Sequence, residues 1–206
     1  MTELTCQARK IFEEGLASVL TIRDFTQVFD AYAEFSEQYI SELMNALATP
    51  ADERDEDDEP VDEAELDQRM VDFEALMDRR PFLVNEVLIR RNPHDVQEWE
   101  KRVALYGADD DKVDETYQDA IKTINPRKAT TGLHRLYVDY AKFFEEGGAA
   151  INPDDRAEPD LASARKVFEK AVTVPFRRVD ELAEVWCEWA ELEVRNECVE
   201  PLSGLR

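Results

Sequence analysis

Two histidines, three scattered cysteines and six glycines in 206 residues leave little material for a metal centre, a disulfide framework or a phosphate-cradling loop. His94 and His134 stand 40 residues apart, each just after a turn signal, and are expected at the surface or in caps. No H-E-x-x-H, glycine-rich phosphate loop or nucleophile elbow occurs. Cys6, Cys187 and Cys198 form no C-x-x-C pair, which argues against zinc and dithiol chemistry and fits an intracellular, reduced compartment. Cys6 and Cys187 fall on helical patterns and are expected to be small core residues. Basic side chains are scarce too: 25 Lys and Arg face 48 Asp and Glu, for a net charge of −23. That balance argues against blanket nucleic-acid binding, which needs clustered cations, and against adhesion to an anionic membrane. No apolar run approaches the ~20 residues of a membrane span, and Met1-Thr2-Glu3-Leu4-Thr5 lacks the apolar stretch of a signal peptide. The acidity either serves solubility alone or favours basic partners. Carboxylate pairs abound, but at 35% charged residues they arise by chance. No catalytic, cofactor-binding or metal-ligating residue is predicted, and the chain reads as a non-enzyme that needs no cofactor.

What the chain has is helical repetition. An aromatic residue opens the same spaced pattern four times: Phe29-x-x-Tyr32-Ala33-x-Phe35, Trp99-x-x-Arg102-Val103-x-Leu105, Tyr137-x-x-Tyr140-Ala141-x-Phe143 and Trp186-x-x-Trp189-Ala190-x-Leu192-Glu193. A second pattern lies between them, in Ala8-Arg9-x-x-Phe12-Glu13 and Ala164-Arg165-x-x-Phe168-Glu169-x-Ala171. At about 100° per residue, positions i, i+3, i+4 and i+6 mark a stripe about 160° wide. A stripe that wide suits a helix touching both its own partner and the next pair. The small residue at i+4 permits close approach, and the aromatic at i fills space between layers. Two alternating patterns predict stacked helix pairs, an all-α, right-handed solenoid of the kind that binds macromolecules. With 43% hydrophobic residues the length suffices for about five pairs at roughly 34–47 residues each.

Periodicity predicts helices over 3–20, 25–47, 64–79, a short one through 82–89, one after Asp95, then 110–124, 133–146, one after Asp160, and 179–196. Ile11 and Leu20 are placed on an apolar side, as are Met70 and Met77. Asp24 with Gln27 and Asp95 with Glu98 have the spacing of capping boxes. Asn92-Pro93, Asn125-Pro126 and Gly147-Gly148 mark helix ends. Residues 49–63, TPADERDEDDEPVDE, carry almost nothing to bury and are expected to be a disordered acidic insertion, dispensable for folding. Residues 147–159 read as a long polar loop. One solenoid segment over 1–206 is expected. Arg79-Arg80, Arg90-Arg91, Lys101-Arg102, Arg127-Lys128 and Arg177-Arg178 sit near helix ends, where they either complement helix dipoles or form a local strip touching RNA.

Trp186, Trp189, Ala190, Leu192 and Glu193, with Ala164, Arg165, Phe168, Glu169 and Ala171, resemble the HAT (half-a-TPR) repeat. No glycine follows Trp189, which separates the pattern from an ordinary TPR. The run from Arg79 through Arg90-Arg91-Asn92-Pro93-His94 to Trp99 and Leu105 resembles the large HAT scaffold family of the spliceosomal NineTeen complex, whose animal member is called an XPA-binding protein. Asn125–Ala129, Tyr140–Glu145 and Val179–Cys187 carry the same likeness, over about 20–198. The resemblance implies an N-terminal portion of a longer nuclear protein, a non-catalytic scaffold in pre-mRNA splicing. It implies other NineTeen proteins and an intron-binding helicase as partners, with no more than local contact to RNA. A generic helical-repeat adaptor, for RNA 3′-end processing or chaperones, is the other reading. The repeat positions expected to carry the architecture are Phe29, Tyr32, Trp99, Tyr137, Tyr140, Ala164, Arg165, Phe168, Ala171, Trp186, Trp189, Ala190 and Glu193. Trp186 is expected to be buried, and Glu193 to take hydrogen bonds from an indole or from Arg165.

Overall fold

A computed structural model describes residues 2–48, 63–130, 132–150, 152, 154 and 156–197. Most of the acidic insertion at 49–63 therefore lies outside the described residues. Among the described residues there are nine α-helices and no strand. They are α1 (Thr2–Ser18), α2 (Ile22–Ala48), α3 (Glu63–Asp78), α4 (Arg80–Arg91), α5 (Val96–Tyr106), α6 (Asp110–Thr123), α7 (Leu133–Glu146), α8 (Leu161–Ala171) and α9 (Val179–Glu197). They pack as neighbouring pairs in two units, Met1–Arg91 and Asn92–Arg206.

In the first unit α2 is the spine. Thr21, not Asp24, caps it: the Asp24 backbone N–H donates to Thr21 Oγ1 at 3.1 Å, and that hydroxyl donates to Asp24 Oδ2 at 2.7 Å. The helix begins a turn earlier than the capping spacing indicated, because Asp24 serves better as the third helical residue facing a Thr cap. Phe25, Phe29 and Tyr32 run down its inner side and meet Leu16, Leu76 and Val87. Phe12 stacks on Tyr32 with centroids 5.0 Å apart. Pro81 opens the short helix rather than only closing the one before it. It sits in the first turn of α4, where a missing N–H costs nothing. The broad inner faces expected of α1 and α3 are narrower than the periodicity implied. Ile11, Met70 and Met77 are exposed, since each helix packs on one side only, and Leu20, expected on the apolar side of α1, lies beyond its end at Ser18 and is exposed too.

In the second unit the two Asn-Pro corners are tied together. His94 O accepts from the Thr130 N–H at 3.1 Å, and His94 Nδ1 accepts from the Asn125 N–H at 3.2 Å. Thr130 Oγ1 accepts from the Val96 N–H at 2.9 Å. Asp95 caps α5 by accepting from the Gln97 N–H, whereas Glu98 pairs with Lys101 at 2.6 Å. The polar loop after α7 is anchored rather than loose at both ends. Gly147 O accepts from the Ala157 N–H at 2.7 Å, Phe144 O accepts from the Asp160 N–H at 2.9 Å, and Asp110 Oδ1 accepts from the Ala149 N–H at 2.7 Å. Arg156 closes the loop with Glu146 at 2.6 Å. Asp160 caps α8 by accepting from the Ser163 N–H.

Candidate protein-interaction surface

The repeat positions separate into three environments. Phe29, Tyr32, Trp99, Tyr137, Tyr140, Ala164, Phe168 and Ala171 are buried. Trp99 Nε1 donates to Pro93 O at 3.0 Å, so this indole hooks its helix to the corner before it. Tyr117 and Tyr140 stack at 4.8 Å and carry the aromatic layer from α6 to α7. Small residues behave as required where two helices meet: Ala141, Ala164 and Ala171 have no exposed surface.

The fullest copy of the pattern is the least buried. Trp186 is 52% exposed, Ala190 and Cys187 are exposed, and Trp189 is half-buried. The expectation of a buried Trp186 fails because α9 packs against α7 and α8 through Val185 and Leu192. Among the described residues nothing covers its other side. Val179, Trp186 and Val194 thus line an open apolar stripe. Cys6 is exposed as well, so neither described cysteine is a core residue. The three rings at this end form a column: Phe168 on Trp189 at 5.9 Å and Trp189 on Trp186 at 5.5 Å, all nearly parallel.

Glu193 joins that column to α8. Arg165 forks onto it, Nε to Oε1 at 2.8 Å and Nη2 to Oε2 at 2.6 Å, and Trp189 Nε1 donates to Oε1 at 3.1 Å. The hydrogen bond from Arg165 holds the Glu193 carboxyl below its ordinary value of 4.5; partial desolvation opposes this, and the Trp189 indole and the Arg165 charge assist it. Because the folded chain binds that proton less tightly than the unfolded chain, the stabilisation is full above the unfolded value. It is lost as pH falls through the folded one. The ion pair is part-exposed, so its size is modest. Glu193→Ala is expected to cost about 1 kcal/mol near neutrality. The difference from the parent should shrink on acidification in urea denaturation monitored by tryptophan fluorescence; a gap that widens would contradict it.

The basic doublets are largely spent inside the chain. Arg79 pairs with Glu13 at 2.6 Å, Arg80 lies over the Phe29 ring, and Arg90 donates to Val19 O at 2.8 Å. Arg177 donates to Ala129 O at 3.3 Å, and Arg178 pairs with Asp180 at 2.7 Å. Such pairing leaves little of a continuous cationic strip for RNA.

His134 is a correction. It is buried between α7 and α9, not placed at the surface or in a cap. Its Nδ1 lies 3.8 Å from Glu181 Oε1 and its Nε2 lies 2.6 Å from Glu184 Oε2. The Arg178 backbone N–H donates back to Glu181, the third residue of α9, which fixes that carboxylate at the helix start. Among the described residues no group of three or more His, Cys, Asp or Glu has metal-holding geometry, and no helix is long and apolar enough to cross a membrane.

Comparison with known proteins assigns the family. Residues 2–124 match the model of the pre-mRNA-splicing factor SYF1 middle HAT repeat, and residues 126–202 match that of the Syf1/CRNKL1 C-terminal HAT repeat. The chain belongs to the SYF1 family of HAT-repeat proteins. Relatives named pre-mRNA-splicing factor SYF1 include one from Mycosarcoma maydis, 53% identical over 210 residues that cover 92% of this chain and 19% of the relative. One from Neurospora crassa is 54% identical over 82% of this chain and 19% of its own length. One from Homo sapiens is 44% identical over 93% of this chain and 20% of its own length. The chain therefore spans about a fifth of the length of these SYF1 relatives. The two family descriptions name middle and C-terminal repeats; neither names the N-terminal portion that the resemblance implied. The helix pairs and the aromatic columns are those of a HAT solenoid.

Proposed function

We propose that this chain is a non-catalytic segment of a pre-mRNA-splicing scaffold, acting in the nucleus within the NineTeen complex of the activated spliceosome. Its match to splicing HAT models over nearly its whole length carries this reading. The family's relatives bear splicing names and none of those shown bears a chaperone or 3′-end-processing name, which disfavours the generic adaptor. Other NineTeen proteins and an intron-binding helicase are the proposed partners. The segment is proposed to work as one solenoid over 1–206, with the 49–63 insertion as a solvated acidic loop. The repeat positions are proposed to build this solenoid, with Arg165, Trp189 and Glu193 setting the register of α8 on α9. The open stripe of Val179, Trp186 and Val194, and a surface with a net charge of −23, favour protein contacts over RNA. Affinity purification of the tagged chain from nuclear extract is expected to recover NineTeen proteins, and bare RNA is expected to bind weakly at physiological salt. Recovery of chaperones or cytoskeletal motors alone would overturn the splicing assignment.

A further inference from the structure

Three helices of the second unit each turn one side toward a groove of about 490 Å³. Asp114, Gln118, Ile121 and Lys122 come from α6, and Ser163, Lys166, Val167 and Lys170 from α8. Tyr140 and Phe144 of α7 lie between them. The spacings i, i+4, i+7 and i+8 on α6, and i, i+3, i+4 and i+7 on α8, are those of a single helical side. The floor is apolar: Ile121 and Phe144 are half-buried, and Tyr140 and Val167 are nearly enclosed. The volume is in the range of clefts that take ligand groups, about 300–1,000 Å³.

The charge along this groove is the reverse of the chain's own. Against a net charge of −23, its lining carries three lysines and one carboxylate. That carboxylate, Asp114, accepts from the Tyr140 hydroxyl. Lys122 is held by Asp119 at 3.4 Å. Lys166 and Lys170 are exposed, and their ammonium groups make no ion pair or hydrogen bond among the described residues. Lys166 also acts on Asp160, but that carboxylate is committed to the Ser163 N–H at 3.0 Å. The two lysines stand one helical turn apart, where like charges repel. A negative partner would relieve that repulsion.

A ligand that fits both features has an apolar side chain with negative charge on one side of it. A phosphate chain fits poorly, because its charge runs along its whole length. Asp111, Glu115 and Asp119 are exposed beside the groove side of α6 and would repel it. Nor are the rings open to stacked bases: Tyr140 is 7% exposed, and Phe144 packs on Tyr140 at 5.0 Å and on Phe143 at 5.3 Å. We infer that the α6–α7–α8 groove receives an acidic amphipathic segment of a protein partner. Leucine or phenylalanine lies over Ile121, Phe144 and Val167, and carboxylates one turn apart meet Lys166 and Lys170. The groove shares no residue with the open α9 stripe. The assignment goes beyond the splicing reading, which stands if it fails.

The test uses the whole chain and a short, alanine-rich, fluorescein-labelled peptide. It carries two leucines one helical turn apart and, beside them, two glutamates one turn apart. Fluorescence anisotropy at about 0.15 M salt is expected to show saturable binding. The double variant Lys166→Gln with Lys170→Gln should weaken it about fivefold, what two exposed ion pairs of ordinary strength supply together. The variant Arg127→Gln with Lys128→Gln, which removes the same charge from an exposed corner, should change it less than about twofold. The peptide with serine in place of both leucines, which keeps the charge and loses the apolar anchor, should not bind. Absence of saturable binding overturns the proposal, as does equal weakening by both double variants or binding of the serine peptide. Labelled oligouridylate that binds more tightly than the peptide, and is lost with the Lys166→Gln, Lys170→Gln variant, would make the groove a phosphate site instead.

Discussion

Phe168→Ala is expected to destabilise the second unit by about 3–5 kcal/mol, whereas Trp186→Ala should cost about 1 kcal/mol or less. The two residues come from the two different patterns of the repeat, yet both belong to the column centred on Trp189. Phe168 has 1% of its surface exposed, between α7, α8 and α9, so removing its ring leaves a cavity with no solvent to fill it. Trp186 keeps half its surface in water and loses only part of one stacking contact. Urea denaturation followed by tryptophan emission measures both, since Trp99, Trp186 and Trp189 all lie beyond Asn92. Equal costs for the two variants would mean that the outer face of α9 is covered in the isolated chain.

Gly147→Ala should be nearly as damaging, at roughly 3 kcal/mol. The residue ends α7 at φ +76°, a region that costs an L-residue about 1–2 kcal/mol. A Cβ there would also collide with the Ala157 carbonyl, the segment that closes back onto α7. Displacing packed backbone adds about 1–3 kcal/mol. Gly147→Asn separates the two causes, because asparagine tolerates the left-handed conformation but not the collision. It should recover little. Gly107 provides the contrast: its φ of +58° comes with a ψ of −115°, outside the left-handed helical region, but nothing lies within 4 Å of the added carbon, so Gly107→Ala should cost only the conformational part, about 1–3 kcal/mol. Thermal unfolding by circular dichroism would compare the three; a Gly147→Asn variant as stable as the parent would remove the collision from the account.

The helices were legible because their signals are local. Periodicity located each of the nine, and Asp95, Asp160 and Gly147 marked their ends. The misreadings share one cause, which is that a repeat pattern records what a helix can bury and not what is there to bury it. Trp186 and Ala190 carry the same signature as Tyr137 and Ala141, and only the latter pair is enclosed. Ile11, Met70 and Met77 repeat the point in the first unit. The opposite error concerns His134. It stands three residues before Tyr137 and seven before Ala141, so it shares their buried stripe by helical geometry. Its polarity alone argued for the surface.

The knot of hydrogen bonds joining His94 and Asp95 to Asn125 and Thr130 has a mechanical consequence. Directional bonds at one corner resist sliding, while the apolar contacts along the helices tolerate small rotations. The α5–α6 pair can therefore tilt against α7 about this corner but cannot easily translate past it. The corner is a hinge pin, and elastic deformation of the unit should open and close the far ends of α5 and α7 in a single angular mode.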